Sequence, residues 1–140
     1  MVDGLFKVFD IAASGMTAER FRLNVISQNL ANSDTTRTED GGPYRRKVVM
    51  FQEALNKNLG GKSDFAGVKI ISIQDDLSPF RQVYDPTHPD SNEEGYVEYP
   101  NVNVLREMVD MISAQRAYEM NSAVVSSAKS MYNAALGIGR

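Results

Sequence analysis

The sequence contains no cysteine, no tryptophan and a single histidine. Without cysteine there is no disulfide, no thiolate nucleophile and no cysteine-based zinc site. The same absence suits a protein that works in an oxidising space without cross-linking, and by itself it assigns no compartment. One imidazole, His88, removes paired-histidine metal motifs and shortens the list of triad mechanisms. No run of ~18 apolar residues is present, so no membrane-crossing helix is expected. The opening MVDGLFKVFD carries Asp3 and Asp10 and reads as no Sec-type signal peptide, since it has neither a basic start nor an apolar stretch. Basic residues number 15 against 18 acidic, a net charge of −3, which argues against the basic face of a dedicated nucleic-acid binder. At 140 residues the chain suits one domain with a modest core.

What is present is periodicity at both ends. Over residues 5–31, Leu5, Phe9, Ala12, Met16, Glu19, Leu23, Ile26 and Leu30 step by four and three, a heptad seam interrupted at Glu19. The pattern predicts one long helix, weakened at Gly15 and stopped at Asn32-Ser33-Asp34, whose side chains compete for backbone hydrogen bonds. Over residues 103–136, Val104, Met108, Met111, Gln115, Tyr118, Ser122, Val125, Lys129, Tyr132 and Leu136 repeat the stepping. Asn103 is the expected N-cap, Glu107 lies where the helix dipole favours an anion, and Gly137 is the expected C-terminal cap.

The middle, residues 35–100, changes character and holds all five prolines. Residues 44–51 read as a strand, 52–59 as a short helix or strand-to-turn segment, and Gly60-Gly61 as a break. GVKIISI (67–73) is the clearest strand, with residues 80–84 expected beside it and 96–99 as a further short strand. DPTHPDSNEEG (85–95) is a turn-rich acidic loop, and no Lys or Arg occurs between Arg81 and Arg106. The reading is therefore α+β: long N- and C-terminal helices pairing as a coiled-coil-like hairpin around a small β-rich middle. Its divisions fall at 1–34, 35–100 and 101–140.

The helix flanks do not look like those of a self-sufficient pair. They carry small and amide residues, including Asn24, Ser27, Gln28, Asn29 and Asn32 on the first helix and Ser113, Asn121, Ser122 and Ser126 on the second. A two-stranded coiled coil places Glu and Lys there. Residues 121–136 have one charge, Lys129. A long helix with so few charges is usually covered on several sides, and a chain this short has too little protein to cover it. Other chains supply the cover in the simplest resolution.

Three stretches carry a family likeness. SGMTAERFRLNVISQNLANSDTT (14–36) resembles the N-terminal signature of the bacterial flagellar rod, hook and hook-associated axial proteins. NVNVLREMVDMISAQRAYEMN (101–121) resembles their C-terminal signature, and DPTHPDSNEEGYVEYPNVN (85–103) is most similar to the proximal-rod members. The resemblance runs over essentially the whole chain, and the total length is too short for the larger middle domains of hook and distal-rod proteins. It implies a non-enzymatic structural subunit, exported by the flagellar type III pathway and stacked into the rod that crosses the periplasm and transmits motor torque. The implied partners are copies of itself, other proximal and distal rod proteins, the rod-to-membrane-ring junction protein and the export apparatus, with no cofactor, metal, nucleic acid or small-molecule substrate. The assembly interface is then expected on Leu5, Phe9, Met16, Leu23, Ile26, Leu30, Val104, Met108, Met111, Tyr118, Val125, Tyr132 and Leu136. Asn24, Gln28, Asn29, Asn32 and Asn121 are expected to set register.

The same residues also fit other readings. The two seams also fit an ordinary intramolecular helical hairpin, and the whole fits a helical adaptor that does not polymerise. The amide cluster also fits a small-molecule site, although buried amides more often pair between helices. His88 among Asp85, Asp90, Glu93 and Glu94 also fits a metal site or an enzyme, although a proline-fixed polar turn explains it. Nothing in that loop raises a carboxyl pKa by burial as glycosidase chemistry requires. Arg45-Arg46-Lys47 is too short for a nucleic-acid patch and reads as a strand edge, salt-bridged or solvated, with the 85–98 loop of another subunit as one acidic neighbour it could meet.

Overall fold

The computed structural model describes residues 2–57 and 63–138. The first helix, α1, runs Val2–Ala31, about 45 Å at 1.5 Å per residue. It ends where predicted: the Asn32 N–H and side-chain amide both donate to the Gln28 carbonyl, at 3.1 and 2.9 Å, and close the last turn. Strands β1 (Lys47–Lys57) and β2 (Ser63–Asp75) form one two-stranded sheet. Residues 52–57 therefore continue the strand rather than form a helix, while Gly60-Gly61 lies outside the described residues.

Strands β3 (Arg81–Tyr84) and β4 (Tyr96–Tyr99) form a second, antiparallel pair in the register Arg81↔Tyr99 and Tyr84↔Tyr96. This corrects the expectation that residues 80–84 lie beside the 67–73 strand. The turn-rich loop between them acts as a closed hairpin connection, with Asp85 N–H donating to Gly95 O at 2.9 Å and Asn92 Oδ1 accepting from Tyr96 N–H at 2.8 Å. The second helix, α2, runs Val104–Ile138. Asn103 caps it, its Oδ1 accepting from Arg106 N–H at 3.1 Å. Gly137 does not cap it: the helix continues to Ile138, and Gly137 lacks the positive φ that a glycine cap adopts.

The chain packs as two compact units. The first takes the described residues within Met1–Leu23, Met50–Ser72 and Ile112–Arg140, the second Asn24–Val49 and Ile73–Met111. The core of the first unit is alanine: Ala12 and Ala18 of α1, Ala114 and Ala128 of α2. The core of the second is Val25, Ile26, Val97 and Pro100, together with two polar residues, Asn29 and Glu107.

Helix pairing differs from the predicted seam. On α2 the inward stripe is Glu107, Ala114, Asn121 and Ala128, seven residues apart, with Asn121 half-buried and the others buried. Of the predicted seam, Val104, Met108 and Gln115 are exposed, while Met111 and Val125 lie half-buried at the edge of this stripe. Close helix contact selects small side chains, so the larger apolar residues stay outside it. In the first unit Gly15 of α1 lies under the Asn121 side chain; a Cβ there would meet Asn121 Nδ2 at 2.9 Å. In the second, Asn29 meets Glu107.

Candidate functional site

Two features stand out, a buried polar junction in the second unit and a set of exposed apolar side chains on α2. The junction is built on Asn29, which is 1 % exposed, in the last turn of α1. Its Oδ1 accepts from Lys47 N–H at 2.9 Å and from the Tyr44 hydroxyl at 3.0 Å. Its Nδ2 donates to Lys47 O at 2.9 Å and to Glu107 Oε2 at 3.0 Å. Facing both backbone groups of Lys47, the amide substitutes for a neighbouring strand at the start of β1. Its capacity of two donors and two acceptor lone pairs is filled.

Glu107, fully buried in the first turn of α2, accepts from Arg46 Nε at 2.6 Å. The other ends of the Arg46 fork reach Asp76 Oδ2 at 3.3 Å and Asp110 Oδ2 at 3.7 Å. Burial works against the guanidinium charge, but the hydrogen bond and charge of Glu107, then those of Asp76, outweigh it and raise the Arg46 pKa. Hydrogen bonds from the Ser78 N–H and hydroxyl, then Arg46, hold the Asp76 carboxyl below the usual range. Burial, then the charges of Asp75 and Glu107, push the Tyr44 phenol up.

Asn101 and Arg45 complete the junction. Asn101 Oδ1 accepts from Arg46 N–H at 2.8 Å, and its Nδ2 donates to Asp76 O and to Ser78 Oγ, both at 2.9 Å. Arg45 donates to Asp76 O at 3.0 Å and lies 4.2 Å over the Phe80 ring. The basic run is thus salt-bridged, as expected, at Arg46, and the carboxylates it meets, Glu107, Asp76 and Asp110, belong to its own chain. Glu107 is likewise more than an anion at a helix start.

The first unit uses one hydroxyl where the second uses this junction. Ser14 Oγ accepts from Val68 N–H at 3.1 Å and donates to Ile11 O at 2.7 Å, docking β2 on α1. Gly67, with φ +106°, makes the approach possible, since a Cβ would collide with Ser14 Oγ. A shallow apolar hollow lined by Ile11, Phe51 and Val68 adjoins it.

Of the residues expected to set register, only Asn29 bridges three elements. Asn121 lies against Gly15 and donates to Ala117 O within its own helix. Asn32 caps α1, while Asn24 and Gln28 have exposed side chains. Of the residues expected at an assembly interface, Ile26 is buried in the chain's own core, and Phe9, Met16, Leu23, Leu30, Met111 and Val125 are half-buried. Val104, Met108, Tyr118, Tyr132 and Leu136 are exposed, and the Leu5 side chain lies outside the described residues. Sequence reasoning missed Leu105, Val109, Ile112 and Met120, each more than half exposed on α2. Their spacing of four, three and eight residues was the signal, overshadowed by the seam beside it.

His88 sits in the hairpin turn, where its Nδ1 accepts from Asp90 N–H at 3.1 Å. Asp90 itself pairs with Thr36 and Arg37, and Asp85 is lowered by hydrogen bonds from the Thr87 hydroxyl and N–H. Among the described residues no three His, Asp or Glu converge as metal ligands, and no helix is long and apolar enough to cross a membrane.

Comparison with known proteins gives this architecture a family. Residues 9–37 match the family described as flagella basal body rod protein, and residues 93–138 match the flagellar basal body rod FlgEFG protein C-terminal family. The flagellar basal-body rod protein FlgC of Borreliella burgdorferi is 50 % identical, over 96 % of this chain and 97 % of its own. The FlgC of Bacillus subtilis is 44 % identical over 96 % and 98 %, and that of Escherichia coli O6:H1 is 42 % identical over 97 % and 98 %. With residues 9–31 of α1 in one matched segment and all of α2 in the other, and with relatives up to 50 % identical over nearly the whole chain, the chain belongs to the FlgC family of flagellar basal-body rod proteins.

Proposed function

We propose that the chain is a non-enzymatic subunit of the proximal rod, assembling with its own copies and with other rod proteins into the shaft that crosses the periplasm and transmits torque. Export by the flagellar type III pathway, and contact with the rod-to-membrane-ring junction protein, belong to the same reading. Family membership supports the rod. The observation that carries self-assembly is the outward apolar set on α2: Leu105 is 73 % exposed, Met120 65 % and Met108 50 %. Large apolar side chains left this exposed along one helix mark a surface that another protein covers. Interlocked helices resist shear because each subunit grips several neighbours.

Met108→Asp tests this directly. The side chain is exposed in the isolated chain, so a carboxylate there leaves folding intact, whereas at a packed interface it is buried without a partner. Normal secretion with rods stalled and motility lost is the expected result. Normal rods and swimming in the Met108→Asp strain would remove this face of α2 from the assembly.

A further inference from the structure

Segments 24–49 and 73–111 of the second unit meet through polar groups, and the contribution of α2 is concentrated in one turn. Glu107 and Asp110 supply two of the three carboxylates around Arg46. Three of the four bonds of Asn29 go to Tyr44 and Lys47, in the connection that follows α1 directly. The fourth goes to Glu107, which enters the chain 78 residues later. Remove that carboxylate and the Arg46 Nε and one Asn29 N–H lose their acceptor beside two side chains, Asn29 and the former Glu107, that are shielded from water. Buried donors without acceptors disfavour the arrangement that holds them.

We infer that Glu107 is a positioning residue that makes the order of the segment from the last turn of α1 through the α1–β1 connection to the start of β1, residues 29–47, conditional on docking of the first turn of α2. The connection cannot settle on its own, because its hub amide and its central guanidinium both wait for one oxygen pair from the far end of the chain. The three-way fork of Arg46 makes the geometry specific: Nε, NH1 and NH2 each address a different carboxylate. A lysine ammonium presents no such fork. The dependence is a property of the folded subunit and holds whatever the subunit assembles with.

Amide hydrogen exchange on the full-length protein, residue by residue, is the test. In Glu107→Ala, the amides of Tyr44, Arg46 and Lys47 should lose protection by about tenfold or more. Val68 and the Ser14 to Leu23 amides of the first unit should change far less. Arg46→Lys should give the same local pattern with a smaller loss. If the alanine variant unfolds throughout, Glu107→Gln decides, since it keeps the shape and one acceptor: loss confined to residues 29–47 supports the inference. Unchanged protection at Tyr44 to Lys47, or equal loss in both units in the glutamine variant, would overturn it.

Discussion

The two units solve the same problem, docking a strand on α1 and α2 on α1, with opposite chemistry. The first buries alanine and uses a single hydroxyl, Ser14, to hold β2. The second buries an amide and a carboxylate and wires them to three charged groups. Alanine contacts are tolerant of small displacement, because nothing polar must find a partner. A buried ion pair is intolerant of it, and contributes specificity more than net stability, since desolvation offsets most of the attraction. The difference teaches that one part of a long helix pair can be defined by shape while another is defined by bonding.

Arg46→Met attacks the polar side of this contrast and should have the largest effect. It leaves Glu107 buried without its cation, at a cost of about 3–5 kcal/mol in urea unfolding. Replacing both partners, Arg46→Met with Glu107→Met, should recover much of that loss; no recovery would mean that the pair itself adds strong net stability. Gly67→Ala attacks the first unit where it is least tolerant. The new Cβ strikes Ser14 Oγ at a φ of +106°, so a loss of about 1–3 kcal/mol is expected, only partly relieved by Ser14→Ala. A neutral Gly67→Ala would show that β2 is not docked through this approach.

Gly15→Ala sharpens the comparison further. The alanine gains up to about 1 kcal/mol of helix propensity but presses on the Asn121 amide, so its net effect is small. In an Asn121→Ala background the same change should stabilise by up to about 1 kcal/mol, and a thermal melt of the two pairs reads the difference. The smallest effect is that of pH. Asp76 is lowered in the fold, so its contribution is complete above its unfolded value of about 4 and fades as pH falls through the lower folded value. Tyr44 is raised, so its contribution is complete below about 10 and fades as pH rises from there. Asp76→Asn should flatten the acid limb and Tyr44→Phe the alkaline one; unaltered limbs would detach both groups from the junction.

Much of the fold was legible because it is local. The stop at Asn32, the cap at Asn103, the strand at 67–73 and the hairpin loop each follow from a few adjacent residues, and the terminal motifs identify the family. The junction was not legible. Glu107 reads as an anion at a helix start, and only the fold brings Arg46 to it from 61 residues away. The α2 stripe was misjudged for a physical reason: hydrophobic periodicity tracks the largest apolar side chains, and here most of these face outward while Glu107, two alanines and an asparagine form the inward stripe. The partner of β3 was misjudged because apolar content does not distinguish between two strands of similar pattern, whereas the loop length and its closing bonds do.

The alanine lining of the first unit carries a mechanical consequence. Alanine has no side-chain rotamers, so Ala12, Ala18, Ala114 and Ala128 offer no alternative set of conformers into which a strained contact could relax. A core of leucine or methionine yields under load by hopping between rotamers and dissipates work in doing so. A buried methyl group has no torsion to change and can only be pressed closer or drawn apart. A twist applied to such a pair is therefore stored and returned rather than lost, which makes the alanine contact a spring of low damping.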